Sequence, residues 1–408
     1  GSPMAPSPRA AAGEDGPSLR GGFEVADVVR AHGAEYLEKY PTSREQRSVL
    51  RAIGRCRTAA LGGHVEGCDA CGHRRIAYNS CRNRHCPKCQ GPERARWLEA
   101  EQATLLPVPY FHVVFTLPSE LVPLARANSR AVYGRLFRAA SRTLLSFARS
   151  AKHLGGEPAI TMVLHTWGQT LTEHPHVHCV VSGGGLSQDG ARWVAVRRRG
   201  FLFPVRALSA MFRGKLLASL GRLRMRGLLR FVGECADLGD EGRWKAWLRE
   251  LHGRPWVVYA KPPFGSPDRV LKYLSRYTHR VAISNRRILS IADGKVRFLY
   301  KDYAAGNATK QMTLSADEFL RRFLLHVLPR GFVRIRHYGL LANCHREARL
   351  ARCRALLAVP SLGSHVSSPK AETIDQERRA PKPAPICPSC GAEMRILEHL
   401  EPRRLDTS

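Results

Sequence analysis

Residues 166–185 read TWGQTLTEHPHVHCVVSGGG, and within them His174, His176 and His178 stand two apart. In an extended strand, side chains two apart share a face. His176 and His178 then present two imidazoles on one side, while Val177, Cys179 and Val181 turn toward a core. Two neutral imidazoles on one face suit a divalent cation. Gln169 stands seven positions before His176, on the partner strand of a short hairpin, where its amide oxygen is expected to supply the third ligand. His165 and His174 are its substitutes. Such a set leaves coordination positions open, as a catalytic ion requires. An oxygen in the set favours Mg2+ or Mn2+, and the histidines equally suit Zn2+ or Ni2+. A lone strand histidine is more often structural; the pair with a third polar group changes that reading.

The twelve cysteines cluster as C-x-x-C pairs among histidines and arginines, a pattern of metal sites rather than of a disulfide framework. A reducing cytoplasm is the expected setting. Cys68-x-x-Cys71 and Cys86-x-x-Cys89 have the spacing of a four-cysteine structural zinc site. The surrounding stretch holds few apolar residues, so bound metal is expected to supply about 10 kcal/mol or more of its folding energy. Cys56, His64, Cys81 and His85 are candidates for a second, interleaved zinc; the alternative is ordinary thiols and surface histidines. Cys387-x-x-Cys390 is half a site, with Cys344, His345, Cys353 and His399 as weak candidate partners, or else a pair of free tail thiols.

A third chemistry-bearing stretch is KYLSRYTHR, residues 272–280. Tyr273 and Tyr277 stand four apart on a predicted helix, so their hydroxyls share a face. Arg276 and Arg280 follow each tyrosine by three and bring cations near the phenols. Tyrosines at this spacing ordinarily pack a core; the arginines and the upstream histidines favour a nucleophile.

The elements that must position these groups follow from periodicity. Residues 23–54 read as two short helices split at Pro41, and a helix follows the cysteine-rich stretch. YFHVVFTLP is a predicted strand, residues 119–152 are mostly helical, and PAITMVLHTWGQ with HVHCVVSGG form a hairpin. Helices are predicted near 205–230, 240–252, 266–279 and 315–328, a strand at RPWVVYAKPP, and a meander over VAISN, RILSIAD and KVRFLYKDY. GFVRIRHYGLLAN begins a last basic element, and residues 360–385 are linker-like. Strands and helices in this order give an α+β fold. The expected divisions are 1–22, a disordered start opening with the scar-like GSPM; 23–104, a helical and zinc-binding module; 105–345, the domain carrying histidines and tyrosines; and 346–408, a basic helix, linker and CxxC tail.

The 65 Lys and Arg against 34 Asp and Glu give a net charge of +31, which points to a polyanionic partner and argues against a small-molecule hydrolase. Arg74, Arg75, Arg82, Arg84, Arg197, Arg198, Arg199, Arg286 and Arg287 are the expected phosphate contacts. No stretch approaches the roughly 20 apolar residues of a membrane span, and no secretory signal is evident.

HPHVH with YLSRY resembles the two motifs of the HUH nucleases, a His-hydrophobe-His strand and a tyrosine helix. Roughly residues 40–345 look like a two-tyrosine rolling-circle transposase of the insertion-sequence ninety-one type; SCRNRHCPKCQ is similar to that family's zinc module and YLSRYTHRVAISN to its tyrosine motif. The resemblance implies an HUH palm, an antiparallel sheet flanked by helices, with His176 and His178 as metal ligands and Tyr273 and Tyr277 as nucleophiles. It implies a bacterial enzyme near the nucleoid that cuts single-stranded transposon ends, holds a 5′-phosphotyrosine beside a free 3′-OH, and rejoins strands. It leaves the third ligand open. Two alternatives stand: a plasmid relaxase or replication initiator with the same chemistry, against which no Walker-type G-x-x-x-x-G-K-[ST] motif is found, and a non-catalytic zinc protein that grips DNA. All three require a steep salt dependence. Affinity for DNA measured by anisotropy should fall about 1,000-fold or more between roughly 50 and 200 mM salt; a flat response would remove the arginines from the interface.

Overall fold

The computed structural model describes residues 22–198, 200–264, 269, 270, 273, 281–303, 305–342, 345–358 and 384–403. Helices α1 (Val25–Lys39) and α2 (Arg44–Gly54) open the chain. Pro41 lies in the break between them, and Ser43 starts α2 with a reciprocal capping box. Its hydroxyl accepts from the Gln46 amide at 3.2 Å, while the Gln46 side chain accepts from the Ser43 amide at 2.9 Å. Strands β1 (Gly63–Gly67) and β2 (Arg74–Tyr78) and helix α3 (Gln90–Gln102) complete the N-terminal part.

The central sheet uses β3 (Tyr110–Thr116), β4 (Ala159–Trp167), β5 (Glu173–Ser182), β8 (Val258–Phe264) and β12 (Ile335–Gly339), in the order β12-β4-β5-β3-β8, every pair antiparallel. Helices α4 (Val122–Ala127) and α5 (Ser129–Arg149) follow β3, and a small β6 (Gly184–Leu186) and β7 (Trp193–Ala195) hairpin follows β5. Helices α6 (Val205–Met225) and α7 (Glu241–Gly253) precede β8. Alternation decides which face is which. Phe111, Val113, Phe115, Ile160, Met162, Leu164, Val177, Cys179 and Val181 all enter one buried core with α5 and α6. The intervening residues, the histidines among them, turn to the opposite face.

Strands β9 (Ile288–Ala292), β10 (Lys295–Asp302) and β11 (Ala308–Ser315) form a separate meander, followed by α8 (Ala316–Leu324). VAISN is not a strand of this meander, as had been expected; residues 308–315 supply its third strand instead, since β10 pairs along its whole length with them. GFVRIRHYGLLAN supplies the edge strand β12, paired to β4. After α9 (Arg346–Leu357), the chain is next described at residue 384, and β13 (Arg395–Leu400) adds to β1 in a third sheet of order β13-β1-β2.

The second core does not follow the expected division at 104/105. Val28, Tyr36, Leu50 and Ile53 of the N-terminal helices pack with Ile283, Phe298, Phe319 and Phe323. Lys39 pairs with Asp317 at 2.9 Å, Tyr40 donates to the same carboxylate at 3.0 Å, and the Gln46 amide donates to Leu324 O at 3.1 Å. Helices α1 and α2 are thus built into the meander and α8 rather than being a detachable arm. Among the described residues no helix is long and apolar enough to cross a membrane.

The central core fixes the histidine-bearing hairpin from behind. Replacing the buried Leu164 by Ala, directly before His165, should cost about 2–5 kcal/mol in a denaturant titration. An unchanged midpoint would show that β4 is not packed on α5 and α6.

Candidate metal and tyrosine site

His176 and His178 lie on one face of β5, as the alternation requires, with their Nε2 atoms 3.0 Å apart. The third imidazole is His165, which the β4–β5 register sets directly opposite His176. The ligand atoms of His165, His176 and His178 all lie within 4.8 Å of one another. Gln169, the expected third ligand, sits beyond β4 in the connection to β5, where its amide nitrogen donates to Tyr303 Oη at 2.8 Å and its backbone carbonyl accepts from Arg287. The pairing keeps its register as far as His165 and shifts only between His165 and Trp167, so it brings His165 to His176 ahead of any residue in the turn. The His174 side chain is exposed and outside the cluster.

The hydrogen bonds around these rings decide which nitrogens face inward. His176 Nδ1 stands 2.6 Å from His174 O. A carbonyl only accepts, so Nδ1 carries the proton and Nε2 keeps its lone pair. His178 Nδ1 stands 2.9 Å from Nε2 of the buried His112. When the His178 Nδ1–H donates to that nitrogen, two Nε2 lone pairs confront each other at 3.0 Å, a repulsive contact that a cation between them relieves. The donor set therefore fits a divalent ion, with outer partners holding the His176 and His178 rings in the ligand tautomer. Burial pushes His176 down to about 4 and His112 to about 3, so both are neutral at physiological pH. Trp167 stacks on His165 with ring centroids 4.7 Å apart, fixing the third imidazole.

Tyr273 meets this network through His112. Its hydroxyl lies 2.6 Å from His112 Nε2, and its ring packs 4.6 Å from the imidazole and 4.7 Å from Phe264. Lys261 stands opposite His112 in the β8–β3 register, on the same face, and its charge contributes to holding His112 neutral. Tyr277, Arg276, Arg280 and Arg199 lie outside the described residues. His112 and Lys261 escaped the sequence reading because they lie on strands 60 to 90 positions from the motif; only the pairing of β3 between β5 and β8 shows the connection.

The sulfur sites are partitioned differently from expectation. Cys86 and Cys89 join Cys56 and Cys81, not Cys68 and Cys71. Their sulfurs stand 3.5–3.7 Å apart in the contacts Cys81–Cys89, Cys56–Cys89 and Cys86–Cys56. That matches the edge of a tetrahedron of about 3.8 Å around an ion with bonds of about 2.3 Å, a geometry suited to structural Zn2+. Hydrogen bonding from Cys81 pushes Cys86 down to about 5 and the same contact holds Cys81 far above the usual thiol range. So crowded a quartet ionises fully only around a cation. His64 and His85 are not in either cluster. His64 pairs with Glu66 at 3.0 Å; His85 accepts from the Leu328 amide at 3.3 Å and its other nitrogen faces Asn83, so the protein satisfies both nitrogens. Cys68 and Cys71 face Cys387 and Cys390 instead. Cys353, a weak candidate partner for the tail, is buried in an apolar core.

The expected phosphate contacts also divide. Arg84 donates to the carbonyls of Phe332 and Pro329 at 2.5 and 3.0 Å, and Arg287 to Leu299 O at 2.6 Å, so both guanidiniums tie loops to the body of the protein. Arg75 is held by Glu66, and Arg197 donates to Ala151 O at 2.6 Å. Arg74, Arg82, Arg198 and Arg286 are exposed. A basic groove that the sequence did not single out runs between α5 and α6, lined by Arg135, Arg138, Arg142, Lys215, Arg222 and Arg226 with no acidic residue among its lining. Burial, then the four neighbouring guanidiniums, depress Arg135.

Comparison with known proteins matches this architecture in two blocks. Residues 28–117 match a family described as "Transposase zinc-binding domain" of the IS91 type, and residues 159–349 one described as "Putative transposase". The "Putative transposase y4qJ" of Sinorhizobium fredii (strain NBRC 101917 / NGR234) is 50% identical over 398 residues, covering 95% of this chain and 100% of that one. The "Transposase for insertion sequence element IS801" of Pseudomonas savastanoi pv. phaseolicola is 32% identical over 299 residues, covering 71% of this chain and 68% of the other. Among solved structures, "Conjugative Relaxase Trwc In Complex With Orit DNA" is 15% identical, covers 61% of this chain and 70% of that one, and superposes with a TM-score of 0.25, a slight overlap. With matching zinc-binding and transposase blocks in one chain and end-to-end similarity to a relative, the chain belongs to the transposases of the IS91 type.

Proposed function

We propose that this transposase cleaves and rejoins single-stranded DNA at transposon ends, with Tyr273 as a nucleophile beside an ion held by His165, His176 and His178. One observation carries the reading: the Tyr273 hydroxyl is linked through His112 to His178, so phenol and imidazole cluster form one connected network. Tyr277, four residues on, is the second nucleophile of the proposal.

When bound, the divalent ion supplies Lewis acidity that neutralises a non-bridging phosphate oxygen. The all-imidazole set shifts the expectation from Mg2+ toward Mn2+ and the later transition ions, because the oxygen ligand that favoured Mg2+ is replaced by nitrogen. The protein residues do the remainder. A phenol of pKa about 10 is mostly protonated at neutral pH; with the His112 Nε2 lone pair taken by the His178 Nδ1–H, the His112 Nδ1–H, 2.9 Å from Tyr273 Oη, donates to the phenol oxygen and orients it. Tyr273 Oη forms the bond to phosphorus as its proton is lost to solvent water; the bond from phosphorus to O3′ breaks, and the 3′ oxygen takes up a proton from water to leave as a hydroxyl. The phosphate bond energy is kept in the 5′-phosphotyrosine, so rejoining needs no ATP. Lys261 lies on the face where anionic charge accumulates. A second tyrosine allows two strand ends to be held together, which strand transfer uses and hydrolysis does not.

The groove between α5 and α6 lies on the opposite side of the central sheet from the histidines and offers a phosphate track for the DNA leading away from the cut.

Incubation with a labelled single-stranded oligonucleotide carrying the element's end and Mn2+ should give a covalent adduct on a denaturing gel. Tyr273→Phe should reduce it at least tenfold. His165→Ala should abolish it and weaken Mn2+ binding measured by electron paramagnetic resonance, while Gln169→Ala leaves both nearly unchanged. Normal cleavage by a folded His165→Ala protein would refute the three-histidine site. Replacing Arg138, Arg142 and Arg222 together by Ala should lower the log–log salt slope of single-strand binding by about two, at roughly 0.7 per lost phosphate contact; an unchanged slope excludes the groove.

A further inference from the structure

Two turns at opposite ends of the chain have the same construction. Cys68-x-x-Cys71 is followed by Gly72 at φ +71°, and Cys387-x-x-Cys390 by Gly391 at φ +78°. In the first, the Gly72 amide donates to Cys68 O at 2.9 Å and the Cys68 amide to His73 O at 2.9 Å. In the second, the Gly391 amide donates to Cys387 O at 3.0 Å and the Cys387 amide to Ala392 O at 2.8 Å. Residue for residue these are the same knuckle, and each needs glycine after its second cysteine because only glycine adopts that left-handed backbone without strain.

The two knuckles face each other. Cys68 Sγ lies 3.5 Å from Cys390 Sγ and Cys71 Sγ 3.6 Å from Cys387 Sγ, and all four sulfurs fall within 4.8 Å. Neighbouring contacts hold the two ends in register. β13 pairs antiparallel with β1 from Gly63–Leu400 to Gly67–Arg395, Arg395 meets Asp69 at 3.0 Å, and Ser389 Oγ stands 3.3 Å from His73 Nδ1. The apolar content is slight: Cys68, Cys387 and Met394 form the whole buried cluster, with Ala392 against it. A cluster that small contributes only a few kcal/mol, too little to order a three-stranded ribbon by itself.

We infer that Cys68, Cys71, Cys387 and Cys390 bind a second structural zinc, which clasps the C-terminal tail onto the N-terminal ribbon and closes the chain into a loop. The four thiols give up their protons on binding, and the ion takes the four-sulfur tetrahedral set of a closed site with no position for substrate. The clasp is separate from the zinc quartet at Cys56, Cys81, Cys86 and Cys89, which is embedded in the core of α1, α2 and α8. It is independent of the nuclease reading as well, because neither half touches the histidine cluster. Its consequence is that this part of the N-terminal module forms only after residues 387–400 have been made.

Mercurial titration of the full-length protein, which frees thiolate-bound metal and leaves any ion on the histidines in place, should release two zinc ions per chain. Cys387→Ser/Cys390→Ser and Cys68→Ser/Cys71→Ser should each give one, with helical circular dichroism unchanged. A stepwise mercurial titration of the unmodified protein should release one zinc first, since Cys71 and Cys390 are exposed while Cys56 and Cys86 are buried. After protease cleavage between residues 358 and 384, the tail fragment should co-elute with the body in gel filtration and separate once that first ion is released. One mercurial-released zinc in the unmodified protein, two such ions retained in Cys387→Ser/Cys390→Ser, or a tail fragment that elutes alone before any zinc is removed would each overturn the clasp.

Discussion

The site depends on the pairing register of β4 with β5. His165 stands opposite His176, and Val163 opposite His178. A slip of one residue would send His165 through the sheet into the apolar core and bring Leu164 to the histidine face. The register is held from both sides. Behind the sheet, Leu164, Val177, Cys179 and Val181 interlock with α5 and α6. At the turn end of the hairpin, Arg126 of α4 pairs with Glu173, the first residue of β5, and reaches Glu234 at 2.6 Å. The buried His326 closes the turn by donating to Leu171 O at 3.0 Å, with Thr166 Oγ1 3.2 Å from its other nitrogen. Every one of these contacts helps hold His165, His176 and His178 in one cluster.

From that pairing the rest of the site unfolds by adjacency. β3 lies next to β5, so His112 falls beside His178 and fixes its ring; β8 lies next to β3, so Lys261 falls beside His112 and Phe264 beside Tyr273. The histidine cluster, His112 and Lys261 thus come from four strands that the antiparallel sheet aligns, and Tyr273 joins them from outside the sheet through His112. The apolar face is the buried core, and the opposite face carries the histidine cluster. That division explains why a chain with so much positive charge can still bury a continuous core: its arginines are spread over helices and loops, and several, such as Arg84 and Arg287, are turned inward only to satisfy backbone carbonyls.

Sulfur plays a different part. The quartet at Cys56 lies within the core that joins α1 and α2 to the meander, so metal and apolar packing reinforce each other there. At the ribbon there is almost no apolar packing, and the paired knuckles at Cys68 and Cys387 carry the connection between chain ends. The N-terminal module is therefore anchored twice, once to residues 281–324 by its helices and once to the tail by its strands. An insertion of DNA between module and palm would have to work within those two tethers.

Local pattern determined much of this. The two-residue alternation of HPHVHCVV placed His176 and His178 together with Val177 and Cys179 behind them, because strand periodicity acts over a few residues and needs no partner. Pro41 and Ser43 marked a helix break and start for the same reason. Tertiary structure alone decided the third imidazole of the cluster, the contact of His112 with His178 and the division of the cysteines. Spacing favoured Gln169, but cross-strand pairing set His165 opposite His176. Sequence proximity favoured joining Cys68 and Cys71 to Cys86 and Cys89, while the fold carried the first pair to cysteines more than 300 positions away. A metal's ligands need only converge in space, and convergence is a property of how strands pair and sheets pack, which no interval along the chain records.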